Sequence, residues 1–165
     1  IDKAGAPLIV EVAAIVGSKK AERAAISVAE AHEQAMELKA YRMEYERAWN
    51  ETAQQSRCGR AMDGILLPNT GVVCWRRGGV TYQGYTPPAN VLHFPSISMP
   101  LAKAEPVPQT HRQNFLSSID EDVYHAYDPD MSRGMPVGIQ LMGRRFQEEK
   151  LHAKAQAVEL SLFII

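Results

Sequence analysis

The chain has 165 residues, of which 45% are hydrophobic and 22% charged, and its formal net charge at pH 7 is -1. The length is typical of a single domain, and the composition is typical of a globular protein and excludes a disordered one. A net charge near zero provides no field that would attract nucleic acid or an anionic membrane. The longest apolar run, residues 7–17, is interrupted by Glu11 and is shorter than the roughly 18 residues that span a bilayer. We therefore expect no nucleic-acid partner and no membrane.

Cysteine and histidine usage limits the compartment and the cofactors. Cys58 and Cys74 are too few for a disulfide framework, so we expect a reducing compartment and predict a cytoplasmic protein. The five histidines share no metal-ligand spacing with each other or with the cysteines. The sequence therefore predicts no metal site and no cofactor.

The first clear element is a helix. Ser27 and Glu30 have the spacing of a capping box, and Gly59 is a plausible stop. Between them, apolar residues recur at steps of three and four, which places them on one helical face. These residues are Ala31, Ala35, Leu38, Tyr41, Tyr45 and Trp49.

Two strand signals follow. Residues 65–67 are a short apolar run between Gly64 and Pro68, which is typical of a strand covered on both faces. Residues 95–100 alternate at period two between prolines and predict a second strand. Between the two strands, residues 85–94 predict a short helix that begins at Pro87 or Pro88. Residues 102–133 are polar and predict a long surface excursion with one short helix.

The end of the chain predicts a third strand at residues 136–142 and a helix at 147–162. Leu151, Ala155, Val158 and Leu162 mark the buried face of that helix. Strands that alternate with helices indicate the α/β class. We expect the three strands to be neighbours in one sheet, since sequential strands usually neighbour one another, with both long helices packed on it. Three strands form a thin sheet, and we expect other strands to complete it in a longer protein.

Six ordered segments resemble one known family. Residues 134–151 are the most informative, and residues 63–68 read Asp-Gly-Ile-Leu-Leu-Pro. The others are residues 5–12, Tyr41-Arg42 with Trp49-Asn50, Tyr82 with Gly84-Tyr85-Thr86 and Asn90, and residues 94–100. Together they resemble the carboxyl-terminal end of amidase-signature hydrolases, with the closest similarity to the acetamidase-like branch.

The resemblance implies the mixed-sheet amidase-signature fold with helices on both faces. It identifies residues 1–165 as the carboxyl-terminal portion of a single such domain, whose catalytic amino-terminal portion is absent. The opening Ile1 and the apolar tail of residues 162–165 fit that expectation, because both look like cuts through a longer polypeptide.

The implied activity is the hydrolysis of a small amide. In this family a serine nucleophile acts with a second serine, in a cis peptide, and a lysine, while backbone amides stabilise the oxyanion. The nearest string here, residues 17–20, is typical of a solvated turn. The resemblance therefore assigns no catalytic residue to this chain, and we expect no catalysis by the chain alone.

Two other patterns imitate functional sites. Ser96 and Ser98 lie two apart on a predicted strand with Lys103 nearby, but a nucleophile usually sits on a strained turn, so we interpret both as small residues packed beneath a helix. The run from Asp128 to Gly134 hints at a calcium loop, yet it lacks the glycine and glutamate that such a loop requires.

Tyr82, Tyr85 and Asn90 are the candidate substrate-binding residues. A polar-tipped aromatic ring and an amide suit a cleft, although core packing with a satisfied hydroxyl is an equally good interpretation. Two functions stay open. The chain supplies sheet strands and pocket wall to an amidase, or it is a truncated module that binds a partner chain through its exposed sheet edge and apolar tail. The corresponding partner is the missing amino-terminal half or another protein chain.

Overall fold

The computed structural model describes residues 25–76, 79, 82 and 84–162. The resemblance in residues 5–12, the predicted turn at 17–20 and residues 163–165 of the apolar tail lie outside these described residues. The described elements, in chain order, are α1 (Val28–Gln55), β1 (Ile65–Pro68), α2 (Pro87–Leu92), β2 (Ser96–Lys103), α3 (Ser118–His125), α4 (Pro129–Ser132), β3 (Pro136–Met142) and α5 (Glu148–Leu162).

Helix α1 begins at the predicted capping box. The Ser27 hydroxyl accepts the Glu30 N–H at 3.2 Å, and the Glu30 carboxylate accepts the Ser27 N–H at 2.7 Å. These two bonds satisfy N–H groups that a helix start otherwise leaves unpaired. The helix ends at Gln55, and Gly59 adopts a φ of 66° in the turn that follows.

The predicted apolar face of α1 contacts the rest of the described chain only near its carboxyl end. Trp49 is 1% exposed, and Tyr45 packs beside it. Leu38 and Tyr41, on the same face, are exposed. The expectation that the whole face packs on the sheet is therefore wrong for the described residues, because α1 extends well beyond the three-stranded sheet.

The three predicted strands form one sheet, but their order is β1-β3-β2, with β3 antiparallel to both neighbours. The expectation of one sheet is confirmed, but the sequential pairing of β1 with β2 does not occur. Proline explains part of this arrangement. Pro68 in β1 and Pro100 in β2 lack an N–H, which suits edge strands, whereas β3 donates to partners on both sides.

Helices lie on both faces of the sheet, as the resemblance implied. On one face, Trp49 from α1 and Leu92 from α2 pack with Phe94 and Met142. On the other, Leu151 and Ala155 of α5 pack against strand residues of β2 and β3, which are Met99 and Leu141. Neighbouring positions of β3 thus face opposite cores, because side chains alternate along a strand.

Strand β1 is covered less completely than its apolar sequence predicts. Leu66 is 53% exposed, whereas Ile65 and Leu67 are partly buried against the Trp49 cluster. Helix α5 contacts β2 and β3 on the other face, where Leu66 of β1 stays exposed. The expectation of burial on both faces was therefore wrong for this edge strand.

The excursion after β2 is more ordered than its polar sequence predicts. Strand β2 continues to Lys103, and two short helices follow in place of the expected one. Asp128 accepts the N–H groups of Asp130 and Met131, which caps α4. The segment that begins at Asp128, which only hinted at a calcium loop, is therefore a helix start. Within the described part of the chain, no helix combines the length and apolar character that crossing a membrane requires.

Candidate functional site

A cavity of about 330 Å³ separates the segment before α2 from helix α3. We call it the tyrosine cleft. Its lining residues are Gly71, Tyr82, Tyr85, Leu116, Ser117, Ile119, Asp120 and Val123. Two of the three predicted substrate-binding residues, Tyr82 and Tyr85, therefore lie on the same wall of one cleft.

The two tyrosines form an edge-to-face pair. Their ring centroids are 5.4 Å apart and the ring planes meet at 85°. This is the geometry that aromatic rings prefer, because the positive edge of one ring faces the negative face of the other. Gly84 permits it, since a Cβ at that position would overlap the Tyr82 hydroxyl group.

Asn90 lies apart from this pair. It is exposed on α2, and its carbonyl oxygen accepts the His93 N–H at 3.3 Å. It does not line the tyrosine cleft. The structure therefore separates Asn90 from the two tyrosines with which the sequence grouped it.

A residue that sequence reasoning missed holds Tyr85 in place. Gln140, in the central strand, is 5% exposed and donates from Nε2 to the carbonyl oxygens of Pro68 and Tyr85, each at 2.9 Å. Its Oε1 accepts the Ser96 hydroxyl at 3.0 Å. The available signal was the polar Gln140 inside an apolar strand, because buried polar groups are normally hydrogen-bonded.

The opposite wall of the cleft is built by α3 and the residues before it. Leu116 and Ile119 expose apolar side chains, at 93% and 51%. The Ser117 hydroxyl caps α3 by accepting the Asp120 N–H at 3.2 Å. This wall therefore presents apolar surface that the polar sequence of residues 102–133 did not predict.

Asp120 is the one charged side chain among the described residues that line the cleft, and it is paired. Its carboxylate accepts the Leu116 N–H at 2.9 Å and two bonds from Arg112, at 3.1 and 2.8 Å. The Leu116 N–H, and then Arg112, hold the pKa of Asp120 below its usual range. The cleft therefore offers a ligand aromatic rings and aliphatic groups, but no free charge.

Ser96 and Ser98 are hydrogen-bonding partners within the sheet. Ser98 Oγ accepts from Asn69 Nδ2 at 2.6 Å, while Ser96 donates to Gln140. Both residues are exposed, so the interpretation that they pack beneath a helix was wrong. The reason is strand alternation, because α5 packs on the opposite face of β2, where Met99 is buried. Among the described residues, no three His, Cys, Asp or Glu side chains are grouped so as to hold a metal ion.

Known proteins resemble this chain in sequence and in fold. Residues 9–152 match the family model described as amidase. The chain is 33% identical over 120 residues to an acetamidase of Emericella nidulans, covering 72% of this chain and 22% of the relative. It is 28% identical over 160 residues to amidase FG08078 of Gibberella zeae, covering 92% and 28%. The chain thus spans roughly a quarter of the length of these curated relatives.

A solved structure supports the fold assignment. The chain superimposes on a fatty acid amide hydrolase with a TM-score of 0.69 and 24% sequence identity, over 84% of this chain and 24% of that one. This likeness confirms the predicted fold, with its mixed arrangement of helices and sheet.

Proposed function

Because the chain belongs to the amidase family, we propose that it is the carboxyl-terminal segment of an amide-hydrolysing enzyme of the acetamidase-like branch. In this role it supplies sheet strands and pocket wall, including both sides of the tyrosine cleft, and the catalytic serines and lysine come from the rest of the domain. The observation that carries the pocket assignment is the tyrosine cleft, where Tyr82 and Tyr85 face α3. Two free cysteines, with Cys58 exposed, support a reducing compartment such as the cytoplasm.

The proposed substrate is a small neutral amide that carries an apolar acyl or aryl group. The volume of about 330 Å³ lies at the lower end of the range for small-molecule sites. Apolar surface recognises the acyl group, and the paired Asp120 leaves no free charge to attract an ionised ligand. Tyr82 and Tyr85 are the proposed substrate contacts, and Asn90 lies outside the proposed site.

A second function, the binding of a partner chain, is favoured by one specific observation. Residues 28–43 of α1 expose several large apolar side chains on more than one side of the helix, and monomeric proteins seldom expose extensive apolar surface. These residues are Val28, Met36, Leu38, Tyr41 and Met43. Contact with the missing half of an amidase domain or with a different protein chain would cover them.

The test is a segment exchange. The region of the Emericella nidulans acetamidase that matches this chain is replaced by the corresponding residues of this chain, and hydrolysis of benzamide and acetamide is measured. We expect turnover of both amides, and a raised KM for benzamide with unchanged kcat when Tyr85→Ala is added. Val107→Ala, an exposed position outside the cleft, is the matched control. A folded chimera without turnover, or equal KM values in the two variants, contradicts the proposal.

A further inference from the structure

Gln140 connects three separate parts of the chain through one buried side chain. Its amide nitrogen reaches Pro68 at the end of β1 and Tyr85 in the cleft wall, and its oxygen reaches Ser96 at the start of β2. Tyr85 is 55 positions away in sequence. The segment before α2 is therefore tied to the central strand at the residue that lines the cleft.

The chemistry of the amide suits this position closely. A primary amide has two N–H donors and one carbonyl acceptor, and here both donors meet main-chain carbonyl oxygens. A hydroxyl such as that of Ser96 can donate to the remaining oxygen. Since carbonyls only accept, the two carbonyl partners also fix which end of the amide is the nitrogen. The side chain is thus held in one orientation.

We propose that Gln140 is a positioning residue for substrate binding. By holding the Tyr85 carbonyl, it sets the main chain from which the Tyr85 ring meets Tyr82 and faces α3 across the cleft. This inference rests on the proposed function of the cleft. Gln140 then affects the affinity of the cleft for its amide substrate through Tyr85, in addition to any contribution to folding.

The test compares substitutions on the two faces of the sheet. Gln140→Met keeps the length of the side chain and removes both donors, and Gln140→Glu replaces the donors with acceptors that face two carbonyls. Leu151→Ala is the control, because Leu151 is 2% exposed and packs on the opposite face. Thermal melting ranks the loss of stability in each variant of the 165-residue chain.

Two further measurements report on the position of Tyr85. One is NMR of the chain, which gives the nuclear Overhauser effect between the rings of Tyr82 and Tyr85 and the chemical shifts of the main-chain amides of residues 84–86. The other is the Kd of 4-fluorobenzamide, measured by fluorine NMR. We expect Gln140→Met to lose the inter-ring effect and to weaken binding about tenfold, because the cleft is then no longer preorganised for the ligand. Gln140→Glu is expected to weaken binding more, and Leu151→Ala to leave both measurements unchanged despite its lower melting temperature.

The outcomes separate this inference from the function on which it rests. If Gln140→Met keeps the inter-ring effect, or if Leu151→Ala loses it equally, Gln140 has no positioning role. If the unsubstituted 165-residue chain does not bind 4-fluorobenzamide, the proposed pocket is contradicted. The inter-ring effect alone then decides the role of Gln140. Should Gln140→Met fail to fold, Gln140→Asn is measured in the same way, because it keeps an amide that is one methylene too short to reach both carbonyls.

Discussion

The guanidinium group of Arg144 lies 2.6 Å from the carboxylate of Glu46. Arg144 follows β3, and Glu46 lies in α1, 98 positions earlier in the chain. A second bond, at 2.9 Å, runs from Arg144 to Asn50, one helical turn further along α1. Because both charged side chains are about a third exposed, solvent screens this pair only in part. The pair therefore fixes the carboxyl-terminal part of α1 against the end of the sheet.

A double-mutant cycle measures this contact. We expect Arg144→Ala and Glu46→Ala to show a coupling energy of about 1 kcal/mol in chemical unfolding, since a partly buried, charge-assisted pair lies at the upper end of the range for surface ion pairs. The control is Arg47 with Glu51, which are 3.9 Å apart and 71% and 57% exposed. That cycle is expected to give no measurable coupling. Equal coupling in the two cycles contradicts the assigned role of Arg144.

The exposed face of α1 predicts self-association of the isolated chain. Leu38 and Tyr41 continue the face on which Trp49 is buried, and they are 36% and 51% exposed. Each 100 Å² of apolar surface that association covers favours it by on the order of 2.5 kcal/mol, before the entropic costs of association are subtracted. We expect sedimentation to show concentration-dependent association, and we expect Leu38→Gln with Tyr41→Gln to abolish it.

The control for that experiment is Leu160→Gln. Leu160 is 66% exposed, but it lies on α5, away from the α1 face. We expect this variant to associate like the parent chain. If the unsubstituted chain is monodisperse at all concentrations and has a sharp, concentration-independent melting transition, the prediction is contradicted.

Local signals in the sequence predicted the elements, and long-range contacts set their arrangement. The capping box at Ser27 and Glu30 located the start of α1, since both partners lie within one helical turn. The prolines at 87 and 88 likewise marked the start of α2. The central place of β3 was not predictable in this way, because periodicity reports which faces of a strand are covered and not which strands pair with it.

The exposed Cys58 thiol, in the turn after α1, has a pKa lowered to about 7. The main cause is its hydrogen bond with Ser56, and the second is Arg60. Since the thiolate is the nucleophile, we expect its alkylation by iodoacetamide to rise with a midpoint near pH 7. Ser56→Ala is expected to move the midpoint towards about 8.5, the ordinary value for cysteine. An unchanged midpoint in Ser56→Ala shows that Ser56 is not the cause.

The pairing of Asp120 with Leu116 and Arg112 predicts a pH-dependent stability. The folded state lowers the pKa of Asp120, so the stabilisation is fully present above the unfolded value of about 3.9 and is lost as the pH falls through the folded value. Asp120→Asn is therefore expected to lower the melting temperature at pH 7, and the difference from the parent is expected to shrink at acidic pH. Asp122→Asn, an exposed neighbour on α3, is the control. A difference that stays constant from pH 7 to pH 3 contradicts the assignment.

The candidate site was predictable only in part. The motif around Tyr82 and Tyr85 indicated one wall, because those residues lie close together in sequence. The facing wall on α3 comes from a polar stretch whose short helices depend on caps at Ser117 and Asp128. Gln140 reaches Tyr85 only because the sheet brings them together, and no pattern within a short window reports such a contact.

We propose that this chain supplies pocket and sheet to an amide hydrolase but does not catalyse alone. The decisive measurement is benzamide hydrolysis by the purified 165-residue chain, alone and co-expressed with the part of the Emericella nidulans acetamidase that does not match it. We expect no turnover by either chain alone and turnover by the two-chain complex. Turnover by the isolated chain that Ser96→Ala or Ser98→Ala abolishes, or a two-chain complex that forms without turnover, contradicts the claim.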